Sequence, residues 1–95
     1  MAGNRQLTIF SYDIRDDRRR RRIARLLEDQ MVRVQYSLFE APMTPDEVDL
    51  LRDAVEEELG ADDSLRVYIL TSDCVRRSFQ VGGAPFPAEQ GHFLF

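Results

Sequence analysis

The segment FSYDIRDDRRRRR, residues 10–22, sets a carboxylate at the end of an apolar run and five consecutive arginines after an aspartate pair. Asp13 follows the apolar residues, and carboxylate oxygens are ligands that hard cations such as Mg²⁺ prefer. One carboxylate makes a poor magnesium site, whereas a two-fold dimer that brings two copies of Asp13 together supplies two. The alternative is that Asp13 accepts hydrogen bonds from turn amides before a helix. The residue types alone favour this alternative.

The arginines that follow divide between two faces of a predicted helix. At ~100° per residue, Arg19 and Arg20 lie nearest the apolar stripe and point back toward the strand end that carries Asp13. The residues that face away or flank the stripe are Arg18, Arg21, Arg25 and, at its border, Arg22. Because guanidinium groups pair with phosphates, the inner pair is predicted to orient a phosphodiester and the outer ones to follow a nucleic-acid backbone. A solvated face that neutralises nearby aspartates is the alternative, but five arginines in a row exceed that need.

The charge of the chain is unevenly placed. All thirteen basic residues are arginines, and the net charge is −4. Residues 1–40 hold nine arginines against six acids, a charge of +3, while residues 41–95 hold four against eleven, a charge of −7. A basic half therefore remains available to bind anions in an acidic protein.

The composition is that of a single globular domain. With 95 residues, 43% of them hydrophobic and 32% charged, one compact core is expected. No apolar run approaches the ~18 residues of a membrane span, and the first residues lack the apolar segment of a secretory signal. Cys74 has no second cysteine to pair with, so we expect a cytoplasmic protein. His92 has no acidic or cysteine neighbour at a useful spacing, which argues against a general base.

Hydrophobic periodicity predicts the elements that would position these residues. We predict a strand at residues 7–14, a helix from Asp16 or Asp17 to about Gln30, and a strand at 65–71. Residues 32–41 fit either one long strand or a tight hairpin. If the strand alternates, Phe39 shares a face with Ser37 and Gln35 and not with Leu38. A packed core position is the favoured interpretation of this phenylalanine.

A second helix and a tail complete the pattern. Thr44 as N-cap, Pro45 at the first helical position and Glu47 form a capping box, and Gly60 is the predicted stop. Residues 77–83 resemble a short strand, and a link rich in proline and glycine leads to the last apolar run, HFLF.

With the middle segment split, this order predicts an α+β fold of the ferredoxin-like βαββαβ type, a sandwich with both helices on one face of an antiparallel sheet. The predicted domain spans residues 1–82. The strand at 7–14 alternates, with Leu7 and Ile9 on one face and Phe10, Tyr12 and Ile14 on the other. The strand at 65–71 likewise carries apolar residues on both sides, so the uncovered face predicts a symmetric homodimer. Residues 83–95 are expected to form a linker and an added C-terminal strand that pairs with the partner.

Three segments carry a resemblance to a known family. YDIRDDRRRRRIARLLE, then RVQYSLFEA and, after the acidic helix, RVYIL resemble the CRISPR-associated Cas2 family over nearly the whole chain. The resemblance implies a ferredoxin-like homodimer that acts in spacer acquisition beside the Cas1 integrase and cleaves single-stranded RNA or double-stranded DNA with Mg²⁺. Carried over by position, Asp13 matches the metal-binding aspartate and Tyr12 the residue before it. The other positions that match residues linked to activity are Arg20, Arg22, Arg33 and Phe39, with Arg19 or Arg21 as substitutes for Arg20 if the register shifts.

Three functions remain open at this point. The first is a magnesium-dependent endonuclease that uses paired Asp13 carboxylates. The second is a catalytically silent DNA-binding scaffold for Cas1, with a toxin-like ribonuclease of the same fold as a related possibility. The third is a plain dimer whose arginine helix is only a surface, an interpretation that the specificity of the three segments opposes.

Overall fold

The computed structural model describes residues 4–83, and its elements follow the predicted order from residue 6 to residue 70. Strands and helices follow as β1 (Gln6–Asp13), α1 (Asp17–Glu28), β2 (Val32–Gln35), β3 (Leu38–Met43), α2 (Pro45–Glu58), β4 (Ser64–Leu70) and α3 (Ser72–Arg77). The sheet has the order β2-β3-β1-β4, with every neighbouring pair antiparallel. The ferredoxin-like α+β fold is therefore confirmed. The proposed C-terminal strand lies outside the described residues, as does His92.

The sheet has a covered face and an open face. Helices α1 and α2 pack against one another over the covered face, where the core forms. Phe10 and Phe39 are fully buried there, opposite one another on β1 and β3, beneath Ile23 and Leu27 of α1. Burying a side chain of this size stabilises the fold by roughly 1.5–3 kcal/mol. The alternation predicted for the first strand is thus correct.

The open face is only partly protected. Helix α3 packs against β1 and β4, and the buried residues Leu7 and Val75 lie outside the main core cluster. Elsewhere, Val32 and Tyr68 on this face are 62% and 47% exposed. Apolar side chains therefore remain exposed on both edge strands of the sheet's second side in one chain.

Side-chain caps fix the ends of the two long helices. Asp16, rather than Asp17, is the N-cap of α1, and its carboxylate accepts a hydrogen bond from the Arg19 amide at 2.9 Å. This bond stabilises the ionised carboxylate and lowers the pKa of Asp16. The predicted capping box of α2 is present, with Glu47 bonded to the Thr44 amide at 2.8 Å.

The segment that allowed two interpretations is a hairpin. Strands β2 and β3 are joined through Tyr36 and Ser37, and the register shifts between Arg33 and Gln35. This irregularity breaks the simple alternation, so Phe39 lies opposite Arg33 and not on the side of Gln35. The predicted grouping of Phe39 with Gln35 is therefore wrong, whereas the place of Phe39 in the core is confirmed.

The strand predicted at residues 77–83 is also wrong. Thr71 caps the short helix α3 by accepting from the Cys74 amide, and residues 78–83 form no strand. An N-cap followed by Asp73 in the first turn and arginines in the last favours a helix over a strand. Within residues 4–83, no helix combines the length and apolarity that a membrane span requires.

Candidate nucleic-acid and metal site

The C-terminal end of β1 gathers most of the candidate residues but separates them onto two faces. Tyr12 belongs to the core of the covered face, and Asp13, the next residue, points to the open face because strand side chains alternate. Phe39, Arg20 and Arg33 lie on the side of Tyr12. The candidate site thus consists of an arginine-rich part and a carboxylate part, on the two sides of the end of β1.

The covered face carries an aromatic–arginine cluster, formed by Tyr12, Arg20, Arg33, Tyr36 and Phe39. The rings of Tyr12 and Phe39 are stacked with their centroids 6.2 Å apart. The guanidinium carbon of Arg33 lies 4.9 Å from the Phe39 centroid, and that of Arg20 lies 5.9 Å from the Tyr36 centroid. Cation–π contacts at these distances hold both guanidinium groups against flat apolar supports.

Hydrogen bonds orient the same two arginines further. Arg33 donates from Nη1 to the carbonyl of Tyr36 at 2.8 Å and from Nη2 to Glu28 at 3.2 Å. Arg20 donates from Nη1 to the carbonyl of Ile14 at 3.2 Å and pairs with Asp17 one turn earlier. Each guanidinium has five N–H donors, so both retain donors for a phosphate. The arginines are therefore positioned by the protein before any ligand arrives.

The hydroxyl of Tyr12 lies near the guanidinium groups of Arg33 and Arg20. Burial of the side chain raises the pKa of Tyr12, and the nearby Arg33 opposes that shift less strongly. The phenol therefore stays protonated at physiological pH. In that state it can donate a hydrogen bond, whereas it is a poor nucleophile.

Asp13 is the carboxylate on the other side of the strand. It is exposed and lies opposite Ser64 of β4, and its side chain forms no ion pair or hydrogen bond with any other residue between 4 and 83. The described part of one chain contains no group of three His, Cys, Asp or Glu residues able to hold a metal ion. A free carboxylate of this kind suits Mg²⁺, which keeps several waters, but only when a second carboxylate joins it.

Arg19 is engaged away from Asp13. Its Nε donates to Oδ2 of Asp63 at 2.6 Å, and the same oxygen accepts from the Gly60 amide at 2.8 Å. The Asp63 side chain is 1% exposed, and these hydrogen bonds lower the pKa of its carboxyl. This ion pair ties the first turn of α1 to the loop before β4, which pairs with the end of β1.

Gly60 makes room for this contact. A Cβ at residue 60 would lie 2.7 Å from Nη2 of Arg19, closer than real contacts allow. Helix α2 ends at Glu58, and Gly60 has no positive φ. A side chain at residue 60 would therefore displace the Arg19 guanidinium from its present position beside Asp63.

The remaining arginines of α1 differ in their contacts. Arg22 donates to Glu58 of α2 at 2.8 Å. Arg18, Arg21 and Arg25 are exposed and form no ion pair within the described chain. They form the outer arginine surface, which points to solvent with its charge uncompensated by a salt bridge.

Two residues of this region escaped the sequence interpretation. Tyr36 was not distinguished from the other tyrosines, because its neighbours Arg20 and Arg33 meet it only once the hairpin folds over α1. Asp63 lies between α2 and β4, and local spacing gives no sign of its pairing with Arg19, which spans 44 residues of sequence. The signals available were weak: a tyrosine at a strand junction and an aspartate after a helix-ending glycine.

Comparison with known proteins identifies a family. The family described as CRISPR associated protein Cas2 matches residues 6–78 of this chain. A Synechocystis protein named CRISPR-associated endoribonuclease Cas2 2 is 45% identical over 89 residues, which cover 90% of this chain and 94% of that protein.

Two solved structures share the fold at lower identity. A crystal structure of Streptococcus pyogenes Cas2 has a TM-score of 0.67 and 29% identity, covering 80% of this chain and 99% of that one. A chain from a partial Cas6-RT-Cas1–Cas2 complex has a TM-score of 0.72 and 28% identity, covering 86% of this chain and 91% of that one.

Proposed function

This chain belongs to the CRISPR associated protein Cas2 family, and we propose that it acts in spacer acquisition as a nucleic-acid-binding homodimer that hydrolyses phosphodiester bonds. The observation that carries the proposal is the pair of features at the end of β1. An unengaged carboxylate, Asp13, lies one residue from Tyr12, which belongs to a cluster whose arginines are already oriented. Such a pairing suits a metal-assisted reaction on a phosphate diester.

The proposed homodimer forms through the open face of the sheet. Val32 and Tyr68 on that face are substantially exposed, and Phe79 and Val81 after α3 are 80% and 89% exposed. Apolar side chains spread over one side of a sheet favour association with a second copy. Because Asp13 points to the same side, a two-fold arrangement over this face would bring two carboxylates toward one another.

Residues of both faces contribute to the proposed mechanism. The two copies of Asp13 would hold Mg²⁺, which when bound supplies Lewis-acid stabilisation of charge on a phosphate. Arg20 and Arg33 bind and orient the phosphodiester, since their cation–π and hydrogen-bond partners leave donors free. Tyr12, kept neutral by its raised pKa, donates a hydrogen bond and does not attack.

A non-catalytic role as a DNA-binding partner of Cas1 is the second candidate. The observation that favours it is the outer arginine surface of Arg18, Arg21 and Arg25, which suits backbone phosphates whether or not a bond is cleaved. The similarity to a chain of a Cas1–Cas2 complex supports Cas1 as the protein partner.

Cleavage and binding measured in parallel separate the two candidates. Wild type and Asp13→Asn are compared on labelled single-stranded RNA and duplex DNA, with Mg²⁺ and with EDTA. We expect Asp13→Asn to lower metal-dependent cleavage by at least about 100-fold, because a ligand of the ion is lost, while the dissociation constant changes less than about twofold.

The matched control is Asp46→Asn. Asp46 is also an exposed aspartate, in the first turn of α2. This turn follows the end of β3 that pairs with the start of β1, so Asp46 lies at the opposite end of the sheet from Asp13. This variant should cleave like wild type. Binding by wild type without any metal-dependent cleavage would support the scaffold instead.

A further inference from the structure

Tyr36 is exposed, yet its position is fixed. The residue is 70% exposed at the junction of β2 and β3, so it contributes little to the core. Its carbonyl accepts a hydrogen bond from Arg33 at 2.8 Å, which holds the backbone of the turn. The guanidinium carbon of Arg20 lies over the ring, 5.9 Å from its centroid. Arg33 therefore fixes the backbone that carries this exposed aromatic side chain, and Arg20 contacts its ring.

The two sides of the Tyr36 ring are not equivalent. Arg20 occupies one side, and the large exposed fraction of the residue leaves the other open to solvent. Unpaired nucleobases stack on flat aromatic rings, because every base presents a π face, and nearby arginines bind the adjoining phosphates. A base inside a duplex stays stacked on its neighbours and is not available to such a ring.

We propose that Tyr36 is a base-stacking residue, on which one unpaired nucleobase of a bound strand rests while Arg20 and Arg33 contact its phosphates. The proposal rests on the nucleic-acid binding proposed above and deepens it. Tyr36 contacts the base and not the reacting phosphate, so it is a positioning and specificity residue. It makes the site favour single strands over duplexes through a contact that is independent of Asp13.

The test uses four full-length proteins: wild type, Tyr36→Phe, Tyr36→Leu and Tyr36→Ala. Binding is measured in EDTA, so that no strand is cut, to a single-stranded RNA carrying 2-aminopurine, whose fluorescence falls on stacking. We expect Tyr36→Ala and Tyr36→Leu to bind this RNA roughly 5- to 100-fold more weakly and to lose the quenching. Tyr36→Phe keeps the ring and should retain both.

Two further ligands isolate the stacking contact. A strand of abasic ribose-phosphate units keeps the phosphates without bases, and a duplex of the same length keeps its bases paired. Tyr36→Ala should bind each within about twofold of wild type, since neither offers an unpaired base. Thermal unfolding confirms that the variants are folded, which the exposure of Tyr36 leads us to expect.

Failure of this proposal differs from failure of the function on which it rests. If wild type binds none of the nucleic acids, both the proposed function and the stacking role of Tyr36 are wrong. If wild type binds but Tyr36→Ala matches it on single-stranded RNA, the stacking role alone is wrong. A loss of equal size for RNA, abasic strand and duplex would also overturn it, because the residue would then support phosphate contacts only.

Discussion

The two faces of the sheet are formed by the same strands but position their functional side chains in different ways. On the covered face, the buried ring of Phe39 supports Arg33, and a hydrogen bond to the Tyr36 carbonyl orients the same arginine. On the open face, Asp13 is exposed and free of ion pairs within residues 4–83, while Glu40 of β3 is buried at 7% exposure. One face is preorganised within a single chain. The other acquires a site only if a second chain covers it.

The largest expected effect is on the free energy of unfolding, and it is seen by comparing two adjacent residues of β3 that lie on opposite faces. Phe39→Ala should lower the free energy of unfolding by about 3–5 kcal/mol, because a fully buried ring leaves a cavity beneath α1. The matched variant Leu38→Ala removes a partly exposed side chain from the open face and should cost less. Urea unfolding of both variants measures the difference.

Repeating that comparison at two protein concentrations sharpens it. If the open face is a dimer interface, the loss of unfolding free energy in Leu38→Ala should grow with protein concentration, because more of the protein is then dimeric. The loss in Phe39→Ala should be large at both concentrations, because the cavity lies within one chain. Equal costs for the two variants would contradict the distinction between the faces.

An intermediate effect concerns the outer arginine surface beyond the covered face. Replacing Arg18, Arg21 and Arg25 by alanine should lower affinity for duplex DNA and reduce the slope of log K against log salt by about 2–3. Each phosphate contact contributes about 0.9 to that slope through counterion release. Titration by fluorescence anisotropy over a range of salt concentrations measures it.

Arg52→Ala is the control for this measurement. Arg52 lies on α2 among Asp49, Asp53 and Glu56, with ion-pair distances of 3.3–3.6 Å, so its charge is already compensated. Its removal should leave the salt slope unchanged. A triple variant with the slope of wild type would show that the outer arginines do not contact phosphates.

The smallest effect concerns Glu40 on the open face. Burial raises the pKa of Glu40 above its value of 4.5 in the unfolded chain, because the charged form is poorly solvated. The stability that this group contributes is therefore complete below the unfolded pKa and is lost as pH rises through the folded pKa. Glu40→Gln cannot ionise and should become more stable relative to wild type as pH rises from about 4 to about 7. Urea unfolding at both pH values measures the change, and a constant difference would contradict it.

The core of the covered face was largely predictable. The apolar period of β1 placed Phe10 and Tyr12 on one side, and the helical period placed Arg19 and Arg20 nearest the buried stripe, where both are half-buried. These predictions succeeded because alternation in strands and the turn of a helix are local properties. The face predicted for Gln35 was wrong because the register shifts after Arg33. Such a shift depends on pairing with β3 and does not alter the hydrophobic periodicity of the sequence.

The sequence by itself determined the order of the elements from β1 to β4, the cap at Thr44, and the placement of Tyr12 and Asp13 on opposite faces of β1, since each follows from neighbours along the chain. The choice of Asp16 over Asp17 as the cap of α1 came from the structure. Tertiary structure decided what each arginine does. Arg19 meets Asp63 and Arg22 meets Glu58 across 44 and 36 residues, while the outer arginines meet no carboxylate of the described chain. A guanidinium at the end of a long, flexible side chain pairs with whichever carboxylate the packing of the elements brings within reach, and that packing depends on the whole core.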